Sequence, residues 1–232
     1  MLMKIPREDT TRTRGKLLAA SGEIFAEKGF RDATIAEICR QAGTNIAAVN
    51  YHFGSKEALY REAWRHVFAE SIQAHPPEGG VPETAPPEER LRGQVTAMVM
   101  RMADRNNRAF SFLYREFANP TGLLEEVIRE QLHPLQQRTR RLIRELLGPR
   151  ANDQEVLFCE MAIISQCMNP LVVRGMPGPQ NGGKDNLRRI DDVKAYARHI
   201  MAFSLAGIAA FRRAAEARGA KGKTEGSGRK EN

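Results

Sequence analysis

Apolar side chains in this chain recur three and four residues apart, the spacing of one face of an α-helix, and no stretch alternates long enough to predict a strand. Leu17, Ile24 and Phe25 mark a first helix over residues 13–28, Ile35, Ile38 and Cys39 a second, and Val49 and Phe53 a third. A fourth reads over 55–75. Residues 76–87 hold five prolines and two glycines and read as a loop. Leu91, Val95, Met98, Val99 and Met102 then set a helix over 88–105. A short aromatic helix over 107–118 ends at Asn119-Pro120, because the residue before proline avoids helical geometry. Two long helices follow, over 121–147 with a kink expected at Pro134, and over 152–174 with a kink or end at Pro170. Residues 175–190, rich in Gly, Pro and Asn, read as a mobile connector. The last helix, 191–218, opens on the capping charges Asp191-Asp192 and is apolar on nearly every face from Tyr196 to Phe211. Residues 1–12, with Lys4, Arg7 and Arg12, read as a disordered polar arm, and the basic segment from Gly219 as a disordered tail.

The segment from Thr34 to Lys56 is the most specific. Thr34 and Glu37 have capping-box spacing ahead of an apolar face. Ala42-Gly43 closes that helix, glycine accepting the left-handed backbone of a tight exit. Thr44 or Asn45 is placed to cap the next helix. Val49 and Phe53 point inward, which leaves Ala47, Ala48, Tyr51 and His52 outward and Asn50 at the margin. Two short helices about a glycine turn are a helix-turn-helix, a unit that fits the DNA major groove. Small residues let a helix sink into the groove, Asn pairs with adenine, and Tyr and His reach phosphate oxygens. Ser55 starts the fourth helix, whose N-terminal N–H groups, with Lys56 beside them, suit a phosphate. Ile46 lies three and seven residues before Val49 and Phe53, a spacing that predicts an inward side chain.

Charge adds little to this picture. The net charge is +8, yet residues 1–75 carry 11 basic and 9 acidic side chains, so the helix-turn-helix region is no more basic than the rest. DNA binding therefore rests on the motif. The 41% hydrophobic content supports a real core in 232 residues. Cys39, Cys159 and Cys167 are odd in number and not closely spaced, which suggests a reducing cytoplasm; they read as buried apolar side chains, with a redox sensor as the alternative. The longest apolar run, from Ile200 to Phe211, falls short of the ~20 residues that span a bilayer. His52, His66, His75, His133 and His199 lack metal-ligand spacing, and no nucleophile elbow, phosphate loop or dinucleotide fingerprint occurs. No cofactor, metal or catalytic residue is expected, and an enzyme has no positive support.

From about residue 13 to residue 64 the chain resembles the TetR family of transcriptional regulators. The resemblance is carried by Phe25-Ala-Glu-Lys-Gly-Phe30, Thr34, Ile35, Ile38, Ala42, Gly43, Tyr51-His-Phe53, Gly54-Ser-Lys56 and Leu59-Tyr60. Two positions depart from it: Thr44 where the family usually has an apolar residue, and Asn50 where it usually has tyrosine. Asn45-Ile-Ala-Ala48, with Arg115-Glu116 and Pro120-Thr121, is similar to the CecR-type subset. The resemblance implies DNA contacts from Thr34, Asn45, Ala47, Ala48, Asn50, Tyr51, His52 and Lys56. It aims the position of Ile46 at DNA too, against the apolar spacing.

The expected fold is all-α: an arm and three-helix DNA-binding headpiece over 1–54, a larger helical ligand-binding and dimerisation domain over 55–218, and a tail over 219–232. Trp64, Phe68, Met98, Met102, Phe110, Tyr114 and Phe117 read either as core or, as the resemblance suggests, as the lining of a pocket for a small, largely apolar effector. Arg101, Arg105 and Glu116 read as surface charges, ion-pair members or ligand-orienting groups. The last two helices are more apolar than one partner surface requires, so they are buried either within one subunit or against a second copy. The resemblance favours the homodimer, with Phe158, Met161, Phe203, Leu205 and Ile208 at the interface and Ala206, Gly207, Ala209 and Ala210 permitting close contact. The expected function is a cytoplasmic repressor that binds a palindromic double-stranded operator as a dimer and is released by its effector. The alternatives are a DNA-binding regulator without an inducer, and a helical ligand-binding protein that has lost DNA binding.

Overall fold

The computed structural model of the chain describes residues 7–175, 190 and 192–227. Among these residues all regular structure is helical: α1 (Arg7–Asp32), α2 (Ile35–Ala42), α3 (Ile46–Phe53), α4 (Lys56–Ala74), α5 (Pro87–Ala103), α6 (Arg108–Ala118), α7 (Glu125–Leu147), α8 (Asp153–Gly175) and α9 (Val193–Ser227). No helix among the described residues is long and apolar enough to cross a membrane.

Two boundaries differ from the sequence expectation. Helix α1 begins at Arg7, so Arg7 and Arg12 are helical and not part of an unstructured arm. The first two turns carry no apolar stripe to signal them. Helix α9 extends past Gly219 to Ser227, whereas α8 keeps the expected bounds, with Pro170 inside it. Lys4, Asp191, most of the connector and residues 228–232 lie outside the described residues. Asp192 acts as the expected cap, its carboxylate accepting a 2.8 Å hydrogen bond from the Ala195 N–H.

The chain divides into two compact units, residues 1–74 with 104–133, and residues 75–103 with 134–232. The first contains the helix-turn-helix, α4, α6 and the start of α7. Its centre is aromatic. The Phe25 ring meets Tyr60 edge-on at 4.8 Å between centroids, Tyr60 meets Phe112 at 4.8 Å, and Trp64 stacks on Phe68 at 5.5 Å. Helices α1 and α4 approach so closely at Gly22 that a β-carbon there would lie 2.5 Å from a Val67 methyl. Glycine is thus required by space, not by backbone conformation. Gly29 is required by conformation: with φ 79° and ψ 179° it breaks α1 in a region that side chains rarely enter.

The second unit is built from α5, the rest of α7, α8 and α9. Its apolar core includes Leu91, Val95, Val99, Leu142, Ile143, Ile163, Ile200 and Met201. Arg140 pairs with Glu160, which is 2% exposed, so the buried acid has a cationic partner. Arg101, expected at the surface, is buried and donates to the His75 carbonyl at 2.6 Å; burial lowers its pKa to about 10. All three cysteines are buried, and burial pushes the Cys167 thiol up to about 12, where the reactive thiolate is scarce at neutral pH.

Candidate nucleic-acid interface

The helix-turn-helix is held by local hydrogen bonds. The Glu37 N–H donates to the Thr34 hydroxyl at 3.2 Å, and the Thr34 N–H donates back to Glu37 at 3.2 Å, completing the capping box. Lys28 donates to the other Glu37 oxygen at 2.8 Å. That bond, then those from Thr34, hold the Glu37 carboxyl down at about 2. Gly43 closes α2 in the left-handed conformation, φ 63°, and the Thr44 N–H reaches back to the Cys39 carbonyl at 2.9 Å. Asn45, not Thr44, caps α3: its side-chain oxygen accepts from the Ala48 N–H at 3.0 Å. The Thr44 hydroxyl oxygen is buried without a hydrogen-bond partner, at the position where the family pattern is apolar.

Helix α3 buries Val49 and presents Ile46, Ala47, Asn50 and Tyr51 on one outward face. Tyr51 is 76% exposed. Ala48 and His52 are half-buried where the sequence reading had them outward, and Asn50 is exposed where it had been placed at the margin. Ile46 is the clearest correction. It is 53% exposed, not packed into the headpiece. Its apolar spacing misled because it is the first residue of α3, and a helical Cα–Cβ bond tilts toward the N-terminus. The side chain therefore projects beyond the first turn. Thr34 and Asn45 are exposed beside this face. At the start of α4, Ser55 accepts from the Ala58 N–H at 3.1 Å, and the Lys56 ammonium rests 4.5 Å from the centre of the Phe30 ring.

Two family models match the chain. One, the bacterial regulatory proteins of the TetR family, covers residues 17–63; the other, the C-terminal domain of the HTH-type transcriptional dual regulator CecR, covers residues 87–208. The chain belongs to the TetR family of transcriptional regulators. Its TetR-type headpiece carries the DNA-binding helix-turn-helix described above, and its function is regulation of transcription, not catalysis. Over 167 residues this TetR-family chain is 30% identical to CecR of Shigella flexneri, covering 68% of itself and 74% of that protein. The similarity to the transcriptional repressor NicS of Pseudomonas putida, 34% over 67 residues, covers 29% of this chain and 32% of that one. A TetR-family regulatory protein from Rhodococcus RHA1 shares the fold at a TM-score of 0.62 and 20% identity, over 84% of this chain and 96% of its own.

The residues expected to line an effector pocket fall in both compact units. Trp64, Phe68 and Phe110 are buried in the first unit, while Met98 packs against the core of the second and Met102 is buried there. Tyr114 and Phe117 lie at the surface, each 67% exposed. The inward position of the last turn of α6 is taken by Glu116, which is buried beneath Tyr60 and Thr121, so it is not a surface charge. Of the expected interface residues, Phe158, Met161 and Phe203 are exposed and Leu205 is half-buried. Ile208 belongs to the core of the second unit, because it points into α9's packed face. With Phe211, the exposed aromatic rings flank an open apolar groove of about 200 Å³ whose floor includes Ile163 and Ile208.

Proposed function

We propose that this TetR-family regulator is a cytoplasmic homodimeric repressor that binds a roughly palindromic operator and is released by a small, largely apolar molecule. The supporting observation is the outward face of α8 and α9. Phe158, Met161, Phe203 and Phe211 are each more than half exposed in the single chain. A contiguous apolar surface of this kind calls for a cover, and a second copy supplies a matching one. In that dimer residues 1–54 act as the DNA-binding part and 55–218 as the effector-binding and dimerisation part. Two recognition helices set about one turn of DNA apart, ~34–36 Å, enter successive major grooves. Similarity to the transcriptional repressor NicS supports repression. The buried aromatic side chains Trp64, Phe68 and Phe110 of the first unit support an apolar effector. That effector acts only through a difference in affinity between the DNA-competent and DNA-incompetent states.

A second reading, a regulator without an inducer, is favoured by the packing of Trp64 directly against Phe68 and Phe112, at 5.5 and 5.8 Å between ring centroids. The test joins three measurements: sedimentation for the dimer, enrichment of bound DNA from a random pool for the operator, and ligand titration against operator affinity for release. A monomer, an enriched site without dyad symmetry, or operator affinity indifferent to every apolar ligand that binds removes the corresponding part.

A further inference from the structure

The outward face of α3 is neutral. From Gln41 to Ser55 the sequence holds no Asp, Glu, Lys or Arg, so this helix brings no strong charge of its own to the phosphates. What it presents instead is one large apolar side chain, Ile46, 53% exposed, beside Ala47 and in line with Asn50 one turn further on. We propose that Ile46 reads sequence by packing on the C5-methyl group of a thymine, and so fixes one T·A pair in each operator half-site.

The argument is one of chemical exclusion. The major groove edges of the four base pairs are hydrogen-bond donors and acceptors with one apolar exception, the thymine methyl. A branched hydrocarbon at the leading end of a groove-entering helix strands those polar edges without a partner, except where it meets that methyl. Three features set the geometry. Ile46 is the first residue of α3, so its side chain projects ahead of the helix end. Ala47 beside it has no bulk to hold the helix away. Asn45 uses its side-chain oxygen to cap α3, so the cap fixes the turn from which Ile46 projects. Asn50, four residues later on the same face, is about 6 Å further along the axis, the span of about two base-pair steps. Its amide suits adenine, so the thymine read by Ile46 should lie within a few base pairs of an adenine read by Asn50. This inference rests on operator binding by the headpiece.

The test removes the methyl and nothing else. An operator is first enriched with the unaltered protein; then each thymine is replaced, one at a time, by deoxyuridine. One position per half-site should lose affinity about fourfold, the value of one buried methyl-sized group. Ile46→Ala should bind the thymine operator more weakly and be indifferent to deoxyuridine at that same position, with unchanged thermal unfolding because the side chain is exposed. Ile46→Val, which keeps the branched methyls, should retain the sensitivity. Equal binding of every deoxyuridine operator by the unaltered protein overturns the proposal, as does full sensitivity remaining in Ile46→Ala. Enrichment of no sequence at all is a different failure: it overturns operator binding itself, and this reading with it.

Discussion

Tyr60 and Glu116, 56 positions apart, are joined by a 2.9 Å hydrogen bond from the phenol to the carboxyl group. The same carboxyl group accepts from the Thr121 N–H at 2.9 Å and from the Thr121 hydroxyl. Three donors thus satisfy an acidic side chain that is only 6% exposed. Tyr60→Phe removes one donor and keeps the ring. It should destabilise the protein by about 1.5–3 kcal/mol, the value of a hydrogen bond to a charged group, measured by urea unfolding at neutral pH.

Tyr60 also sets an alkaline limit. Burial first, and the Glu116 bond second, hold its pKa above the ordinary phenol value. A group whose folded pKa is raised stabilises fully below its unfolded pKa, and the stabilisation falls as pH rises beyond it. Stability of the parent protein should therefore decline above pH ~10, the unfolded value, and that part of the decline should be absent in Tyr60→Phe. Unfolding curves of the two proteins from pH 8 to 11.5 make the comparison.

Glu37 works in the opposite direction. Its carboxyl is held at about 2 by Lys28 first and Thr34 next. A depressed folded pKa gives stability that is present above the unfolded value, ~4.3, and is lost as pH falls toward 2. Carbon-detected NMR titration should place the Glu37 midpoint below 3, and Lys28→Met should move it upward. An ordinary midpoint near 4 in the parent protein removes the capping box from the acid response.

Thr44→Val replaces a buried hydroxyl that has no partner with a methyl of similar size. The change should stabilise the protein by about 1 kcal/mol, seen as a raised denaturant midpoint with an unchanged slope.

The proposed dimer separates two residues of α9. Phe203→Arg places a charge on an exposed ring position and should give soluble, fully helical monomers with steeply reduced operator affinity, since one half-site binds far more weakly than two linked ones. Ile208→Arg puts the charge into a core position that is 4% exposed and should lose the fold of the unit. Sedimentation and circular dichroism on both variants distinguish these outcomes. A monomeric parent protein refutes the interface.

Most of the helix-turn-helix was legible because its determinants are local. Thr34 with Glu37, Gly43 and Asn45 each act within four residues, and a sequence displays such pairs directly. The misreadings have long-range causes or end effects. Ile46 has core spacing but sits where its helix begins. Glu116 and Arg101 look like surface charges, and only folding brings Tyr60, Thr121 and the His75 carbonyl to them. Tyr114 and Phe117 look like pocket residues because aromatic composition says nothing about which side of α6 is covered. The start of α1 was hidden by its polar first turns, where helix propensity acts without an apolar stripe.

The uncharged outward face of α3 separates two quantities that usually move together. Ion release from phosphates makes overall affinity fall with salt, and here the strong cations that could supply it, such as Lys56, lie off the recognition helix. Base edges met by Ile46 and Asn50, as proposed, would displace no condensed ions. Raising the ionic strength should therefore weaken binding to operator and to unrelated DNA in parallel, leaving the ratio between them nearly constant. Discrimination by this regulator would then be set by shape and neutral chemistry, and would persist across ionic conditions that change how much of it is bound.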